Sequence, residues 1–283
     1  MMNKLKIGII GYGFVGQAVE YSFMTQNVEA FIIDPKYNEN TIDDLIEWKP
    51  KLVFICLPTP SNDNGSIDAT LIGKTVKYLK SRLSAFIIIK STITPKIISD
   101  ITAHEFNVAY VPEFLSEGNA KFDMINSDFM VIGTNFSTAF DLVVDYYEKY
   151  SMCKKGINYV NVTPTGASFV KYTINTFLAM KTAYFNELYT LIDNAEVNYQ
   201  NVLKGVLADS RIGPSHTKVP GPDGRFGFGG ACFPKDLNAF IDYAKNDINI
   251  ELEILKGVRT SNNSIRSQYE TDQREKANNI KFK

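Results

Sequence analysis

The chain has 283 residues, 45% hydrophobic and 22% charged, with a formal net charge of −1 at pH 7. This is an ordinary globular composition, long enough for one large or two ordinary domains around a sizeable core. The charge balance carries no electrostatic footprint for a nucleic acid, no stretch nears the ~20 apolar residues of a membrane span, and the opening apolar run is too short for a signal peptide.

In chain order, residues 5–10 are an apolar run ending in Gly11-Tyr12-Gly13-Phe14-Val15-Gly16. A G-x-G-x-x-G after a strand and before a helix is the context in which this pattern binds a dinucleotide; alone it would be an ordinary tight turn. Gly11 makes the turn, Gly13 lets the backbone approach a pyrophosphate, and Gly16 lets helix pack on strand. The N–H groups of the helix opening at Phe14 and Val15 would receive the phosphates. A second strand, 30–33, ends at Asp34, eighteen residues after Gly16. A carboxylate there accepts bonds from ribose hydroxyls and repels a 2′-phosphate, so NAD is expected over NADP, with Lys36 weakening the preference slightly.

Strands are then expected at 52–57, 85–89, 108–111 and 129–132, and helices at 67–82, 95–104 and 137–150. The alternation predicts an α/β fold, a Rossmann-type doubly wound parallel sheet, with ligands beyond the C-terminal strand ends. Asp34, Thr59, Thr92 and Glu113 stand at those ends. Each also suits turn-making or helix capping, so it is their common placement that marks a crevice.

Thr163-Pro164 reads as a cap with proline in the first helical turn. From there to about residue 198 apolar residues recur at three and four, which predicts one helix of roughly thirty residues, long enough to join domains or pair with a second copy. Lys171 and Asn175 are polar, four apart, and so share a face; contact with solvent at the helix edge is the plainer account. After a short helix at 200–208 comes a loop, 209–224, with three prolines and three glycines, suited to covering a ligand, in which His216 reads as a solvent residue.

The stretch GFGGACFPKD, 227–236, sets Cys232 between a glycine run and a helix start marked by Pro234. A helix N-terminus favours the thiolate, and Lys235 pushes the same way. Gly229 and Gly230 let the backbone pass close to a ligand. Asp236, one turn on, can share the face of Cys232. A buried apolar thiol is the bland alternative; the surroundings favour a nucleophile. Cys56 and Cys153 are far from it in sequence and only His104 and His216 accompany them, so no disulfide framework or metal site is expected, and the setting is a reducing cytoplasm. Two more helices, 234–244 and 250–268, lead into a charged end expected to fray. The expected organisation is an NAD-binding domain at 1–162, a long helix with a helical substrate and dimerisation domain at 163–270, and a charged tail at 271–283.

FGFGGACFPKD resembles the active-site signature of the UDP-glucose/GDP-mannose dehydrogenase family. ICLPTP, IKSTITP, VPEFLSEG and KYTINTFLAMKTAYFNE resemble its strand-end and central-helix motifs, and the likeness runs from about Leu5 to Arg266. The resemblance implies an NAD-dependent oxidoreductase that takes the C6 alcohol of a nucleotide sugar, UDP-glucose foremost, to the acid through a thiohemiacetal and thioester on Cys232. It puts Thr59 and Thr92 on NAD, Glu117 at the nicotinamide and Lys235 with the cofactor. Glu113 would touch substrate and a water, with Asp236 as the other candidate to hold that water. Lys171 and Asn175 would meet the developing oxyanion, and Gly229 would lie against the substrate. Arg211 would reach a neighbouring subunit's site, which implies a homodimer through the long helix. Ser116 stands where many members carry arginine. The third domain of full-length members, which helps hold the UDP part, is expected to be missing. Two rivals stay open: a hydroxyacid-type dehydrogenase with one hydride step, and a non-catalytic truncated NAD-binding dimer.

Overall fold

The computed structural model describes residues 4–283, so the first three residues of the expected 1–162 domain lie outside the described residues. The chain divides into two compact units: residues up to Thr59 with Asp68–Lys171, and Pro60–Ile67 with Tyr172–Lys283. The division falls inside the long helix rather than before it, and residues 60–67 go with the second unit.

The first unit is a seven-stranded sheet: β1 (Leu5–Ile10), β2 (Val28–Ile33), β3 (Leu52–Ile55), β4 (Phe86–Ile89), β5 (Val108–Tyr110), β6 (Phe129–Gly133) and β7 (Asn158–Val162), in the order β2-β1-β3-β4-β5-β6-β7. Its helices are α1 (Phe14–Ser22), α2 (Ile42–Trp48), α3 (Thr70–Lys80), α4 (Pro95–Thr102), α5 (Ala120–Asn126), α6 (Ser137–Tyr150) and the start of α7 (Pro164–Asn194). The order reverses direction at β1 and β3, the topological switch point where such sheets bind ligands. Side-chain alternation divides the core in two. Ile7, Ile9, Phe54 and Ile88 fill one face, and Ile10, Val53, Ile55, Ile87 and Ile89 the other. With both faces covered, β3 and β4 are apolar at every position, and this makes them easy to find in sequence.

One pairing departs from the all-parallel expectation: β5 and β6 are antiparallel, joined at Tyr110 and Gly133. The chain re-enters the sheet from the edge at which β5 left it, after only a 3-10 turn (Glu117–Asn119) and the two turns of α5. A Cβ on Gly133 would stand 2.8 Å from that of Ala167 and 3.0 Å from the Tyr110 carbonyl oxygen, so the glycine allows this close approach. Three elements were not expected: α2, opened by a Thr41/Asp44 capping box, the short α5, and β7, a partly exposed strand without a clear apolar run.

The second unit is helical. From Tyr172 onward α7 packs with α8 (Tyr199–Val206), α9 (Phe233–Ile248) and α10 (Glu253–Arg266). One cluster gathers Ala179, Ala183, Phe228, Leu237, Ile241 and Val258; another gathers Phe185, Tyr199, Leu203 and Val219. The expectation that the charged end frays is corrected. Asp272 caps a further helix, α11 (Gln273–Ala277), in a capping box, and Glu275 and Ile280 are buried. Charge density signals fraying when the charges stay in water; here Glu275 meets Arg266, both side chains fully buried. Among the described residues no helix is long and apolar enough to cross a membrane.

Candidate active site

In the first unit the three motif glycines are distinguished by what surrounds them. Gly11 has φ +90°, and a Cβ there would meet the Cys56 carbonyl oxygen at 2.5 Å. A Cβ on Gly16 would stand 2.1 Å from the Gly11 oxygen. Both glycines are demanded by the fold. Gly13 is different: its φ is −71°, and a Cβ would meet nothing within 4 Å. A methyl group fits there as far as this chain is concerned. The open space lies at the N-cap of α1, where no side chain caps the helix, so the N–H ends at Phe14 and Val15 face a place suited to an anion.

Asp34 follows β2 and turns toward the glycine turn. Its Oδ2 accepts the Tyr12 N–H at 2.7 Å and its Oδ1 the Lys36 N–H at 2.9 Å. The Tyr12 hydroxyl donates to Glu20, and its ring meets Tyr37 edge-on at 5.1 Å. Burial, then the Glu20 carboxylate, push the Tyr12 phenol up to about 12. Past β3 and β4, Thr59 Oγ1 donates to the Thr92 carbonyl at 3.0 Å and Ser91 Oγ to the Leu57 carbonyl at 2.6 Å, tying the two strand ends together. The Thr59 hydroxyl proton is thereby engaged, leaving its lone pairs for a ligand's donor.

Beyond β5 the two acidic positions separate. Glu117 is exposed at the start of the 3-10 turn, whereas Glu113 is 8% exposed. Lys171 Nζ, from α7, donates to the Glu113 carbonyl at 2.6 Å and to its Oε1 at 3.2 Å. Glu113 Oε2 is buried without a hydrogen-bond partner among the described residues. A buried carboxylate oxygen left open is costly, and it is an acceptor awaiting a hydroxyl or a water. Lys90, just past β4, is 2% exposed; burial lowers its pKa, against the opposing pull of Glu113 first and then Cys56 and Cys153. Burial likewise pushes the Cys56 thiol up to about 12. Lys90 lay in the IKST string, but nothing in its spacing marked it; a lysine directly after four apolar strand residues was the available signal.

In the second unit Cys232 is the N-cap residue of α9, half-buried, with Pro234 in the first turn. All three cysteines are thiols. Asp236 is 1% exposed; its Oδ2 accepts from Asn175 Nδ2 at 2.6 Å and its Oδ1 from Lys235 Nζ at 2.5 Å. Its backbone N–H donates to the Cys232 carbonyl at 2.8 Å, so Cys232 and Asp236 belong to one helical turn. Lys235, itself 6% exposed, holds Asp236. Asn175, Lys235 and Asp236 thus come together beside the turn that carries Cys232.

Three expected residues have different surroundings. Arg211 has a side chain 86% exposed and clasps Asp209. Gly229 is required by protein, not by open space for a ligand: a Cβ would meet Arg266 Nη2 at 2.0 Å and Glu275 Oε1 at 2.3 Å. Its neighbour Gly230 has open space and φ +76°. His216 is exposed, as expected, yet its ring rests 5.4 Å from that of Phe233.

Residues 49–151 match the NAD binding domain of the UDP-glucose/GDP-mannose dehydrogenase family, and residues 165–264 match the family's central domain. The chain belongs to this family. It is 34% identical to a UDP-glucose 6-dehydrogenase of Rickettsia felis over 218 residues, 74% of this chain and 47% of the relative. It is 30% identical to a UDP-glucose 6-dehydrogenase of Bacillus subtilis over 224 residues, 75% of this chain and 48% of the relative. Its fold matches that of a UDP-glucose dehydrogenase from the archaeon Pyrobaculum islandicum with a TM-score of 0.77 and 24% identity, over 93% of this chain and 68% of that one. The chain spans about half the length of the curated relatives it matches. The cofactor of the family's first domain is NAD, and the turn around Gly13, with Asp34 beyond it, fits that group.

Proposed function

We propose that this protein oxidises the C6 alcohol of a nucleotide sugar, UDP-glucose foremost, to the uronic acid with NAD, through a thioester on Cys232. The observation that carries the reading is Cys232 itself: a half-buried thiol at a helix N-cap, on the turn whose Asp236 is held by Asn175 and Lys235. A structural cysteine needs no such company.

The turn at Gly11, Gly13 and Gly16, the N–H groups of Phe14 and Val15, Asp34, Thr59, Thr92 and Glu117 would hold NAD. Bound there, it supplies the hydride acceptor, two molecules for each sugar. The chain's residues do the rest. Glu113 Oε2 accepts the hydrogen bond of the substrate hydroxyl or of a water that takes its proton, the role its unpartnered oxygen suits. As the alcohol becomes an aldehyde, the Cys232 thiolate adds to the carbonyl carbon and forms the C–S bond. Lys171 and Asn175 stabilise the oxyanion that appears there; both are already fixed by hydrogen bonds, so little is reorganised in the transition state. Loss of the second hydride leaves the thioester. Water then breaks the C–S bond, releasing the acid and returning the thiol.

The homodimer belongs to the same proposal. Phe177, Tyr184 and Leu191 are exposed by 54%, 57% and 66% and stand seven residues apart along α7, one stripe on one helix face. A second copy is the proposed cover, with Arg211 reaching across to it and a cytoplasmic setting for the pair.

The test is to incubate the protein with NAD and a panel of nucleotide sugars and count NADH per sugar consumed. Two per sugar, with uronic acid as product, is the expected result. One per sugar supports a hydroxyacid-type single step. No turnover, and no calorimetric binding of any nucleotide sugar with NADH present, supports a non-catalytic NAD-binding dimer. Cys232→Ser is expected to lose at least about a thousandfold in acid formation. Acid formed at the parent rate by that variant refutes the thioester scheme.

A further inference from the structure

We infer that Arg266 and Glu275 are positioning residues for the cysteine loop: together they hold its backbone at Gly230, and with it Cys232, where the thiol reacts. The inference rests on the reading of Cys232 as a nucleophile.

The loop is held by side chains. Gly227 N–H donates to Asn186 Oδ1 at 2.8 Å and Phe228 N–H to Asn262 Oδ1 at 2.7 Å, while Asn262 Nδ2 returns a bond to the Phe228 carbonyl at 3.0 Å. Gly230 N–H donates to Glu275 Oε1 at 3.0 Å. The same Oε1 accepts from Arg266 Nη2 at 2.9 Å, and Arg266 Nη1 donates to Asp223 at 2.8 Å. Glu275 Oε2 takes the Asp272 N–H at 2.8 Å, which fixes the carboxylate from behind. Both side chains of the pair are fully buried. Three residues after Gly230, α9 begins at Phe233 with Cys232 as its N-cap.

Stability alone does not explain a buried arginine–glutamate pair here. Apolar residues of the same volume would join α10 and α11 as well or better, because neither would lose hydration. Arg266 Nε is moreover buried without a hydrogen-bond partner among the described residues, a further cost. An apolar pair could not accept the Gly230 N–H. The glycine pattern agrees: Gly229 has no room for a Cβ because the pair lies against it. The loop and the pair are therefore shaped to each other, and the acid of the pair sits on the charged end expected from composition to fray.

The test uses the full chain and the double variant Arg266→Met/Glu275→Leu, which removes both buried charges together, leaves only the part-exposed Asp223 carboxylate without its arginine, and is expected to stay folded. Amide exchange at Gly230 is expected to quicken at least about tenfold as its acceptor is lost. Acid formation from UDP-glucose should fall at least about tenfold, with the KM for NAD within about twofold of the parent, because a displaced nucleophile costs rate rather than cofactor binding. Glu275→Gln keeps an acceptor for Gly230 and should lie between, slowing acid formation about threefold. Parent-rate acid formation or unchanged exchange at Gly230 in the double variant overturns the inference. Should the double variant fail to fold, Glu275→Gln decides, and a parent rate there overturns it. If the parent itself makes no acid from any nucleotide sugar, the proposed function falls separately. Exchange at Gly230 then decides whether the pair holds the loop.

Discussion

Gly13→Ala should separate binding from folding more cleanly than any other change in the first unit. A methyl at Gly13 meets nothing within 4 Å, and the residue already has φ −71°, so the fold has no objection. Its one local cost is exchanging glycine for alanine at an N-cap, about 0.5–1 kcal/mol. Gly16→Ala, three residues on, puts a methyl 2.1 Å from the Gly11 carbonyl oxygen, inside a turn that Gly11 holds at φ +90°. Overpacking against backbone costs about 1–3 kcal/mol, and this contact belongs at the upper end. For NAD the order reverses in kind. The methyl at Gly13 occupies the approach of the pyrophosphate and removes one or two charge-assisted bonds to N–H groups, about 1.5–3 kcal/mol each. That is roughly a ten- to hundredfold loss of affinity from a single bond. Urea unfolding gives the stabilities, and titration with NADH followed by its fluorescence gives the affinities. If Gly13→Ala binds NADH like the parent, or loses as much stability as Gly16→Ala, the open space at Gly13 is not the pyrophosphate's and the reasoning fails.

Three further outcomes are expected. Lys90→Met should raise stability at pH 7 by about 1 kcal/mol, because burial lowers the folded pKa of Lys90 and its charge costs more than its neighbours return. The sign follows from linkage: the unfolded chain binds the proton more tightly, so the parent gains stability as pH rises, and the variant's advantage should shrink toward pH ~10. A gain that does not vary with pH, measured by urea unfolding at several pH values, refutes this account. Gly229→Ala should cost about 3–5 kcal/mol, since the methyl must part the fully buried Arg266–Glu275 pair, whereas Gly230→Ala should cost only about 1–2 kcal/mol for a left-handed φ in open space. Equal costs in thermal or urea unfolding would contradict the packing described for this loop. Phe177→Glu with Leu191→Glu, on the exposed stripe of α7, should turn a dimer into a monomer in light scattering while leaving the helical circular dichroism signal intact. A particle mass unchanged by the two charges would rule that face out as the contact.

The sheet was legible in the residues because its central strands are covered on both faces, so 52–55, 86–89 and 129–132 are unbroken apolar runs. β7 escaped because it is only partly buried and carries asparagines at two of its five positions. The α7 periodicity and the Pro234 helix start were read in the same way, from local preferences that act within a few residues.

Local pattern could name Gly11, Gly13 and Gly16, yet it could not say which of them the fold itself requires. That depends on where the Cys56 and Gly11 carbonyls lie once the strands have paired. The same limit applied to charge. Glu113 and Glu117 differ in sequence by four positions and in environment by a buried lysine, and Glu275 looked like one more acid in a solvated tail until Arg266 and Gly230 N–H were found at its carboxylate. Chain-neighbour effects set helices, strands and turns. Burial and partnership of a charge are set by residues tens or hundreds of positions away, and folding alone brings those together.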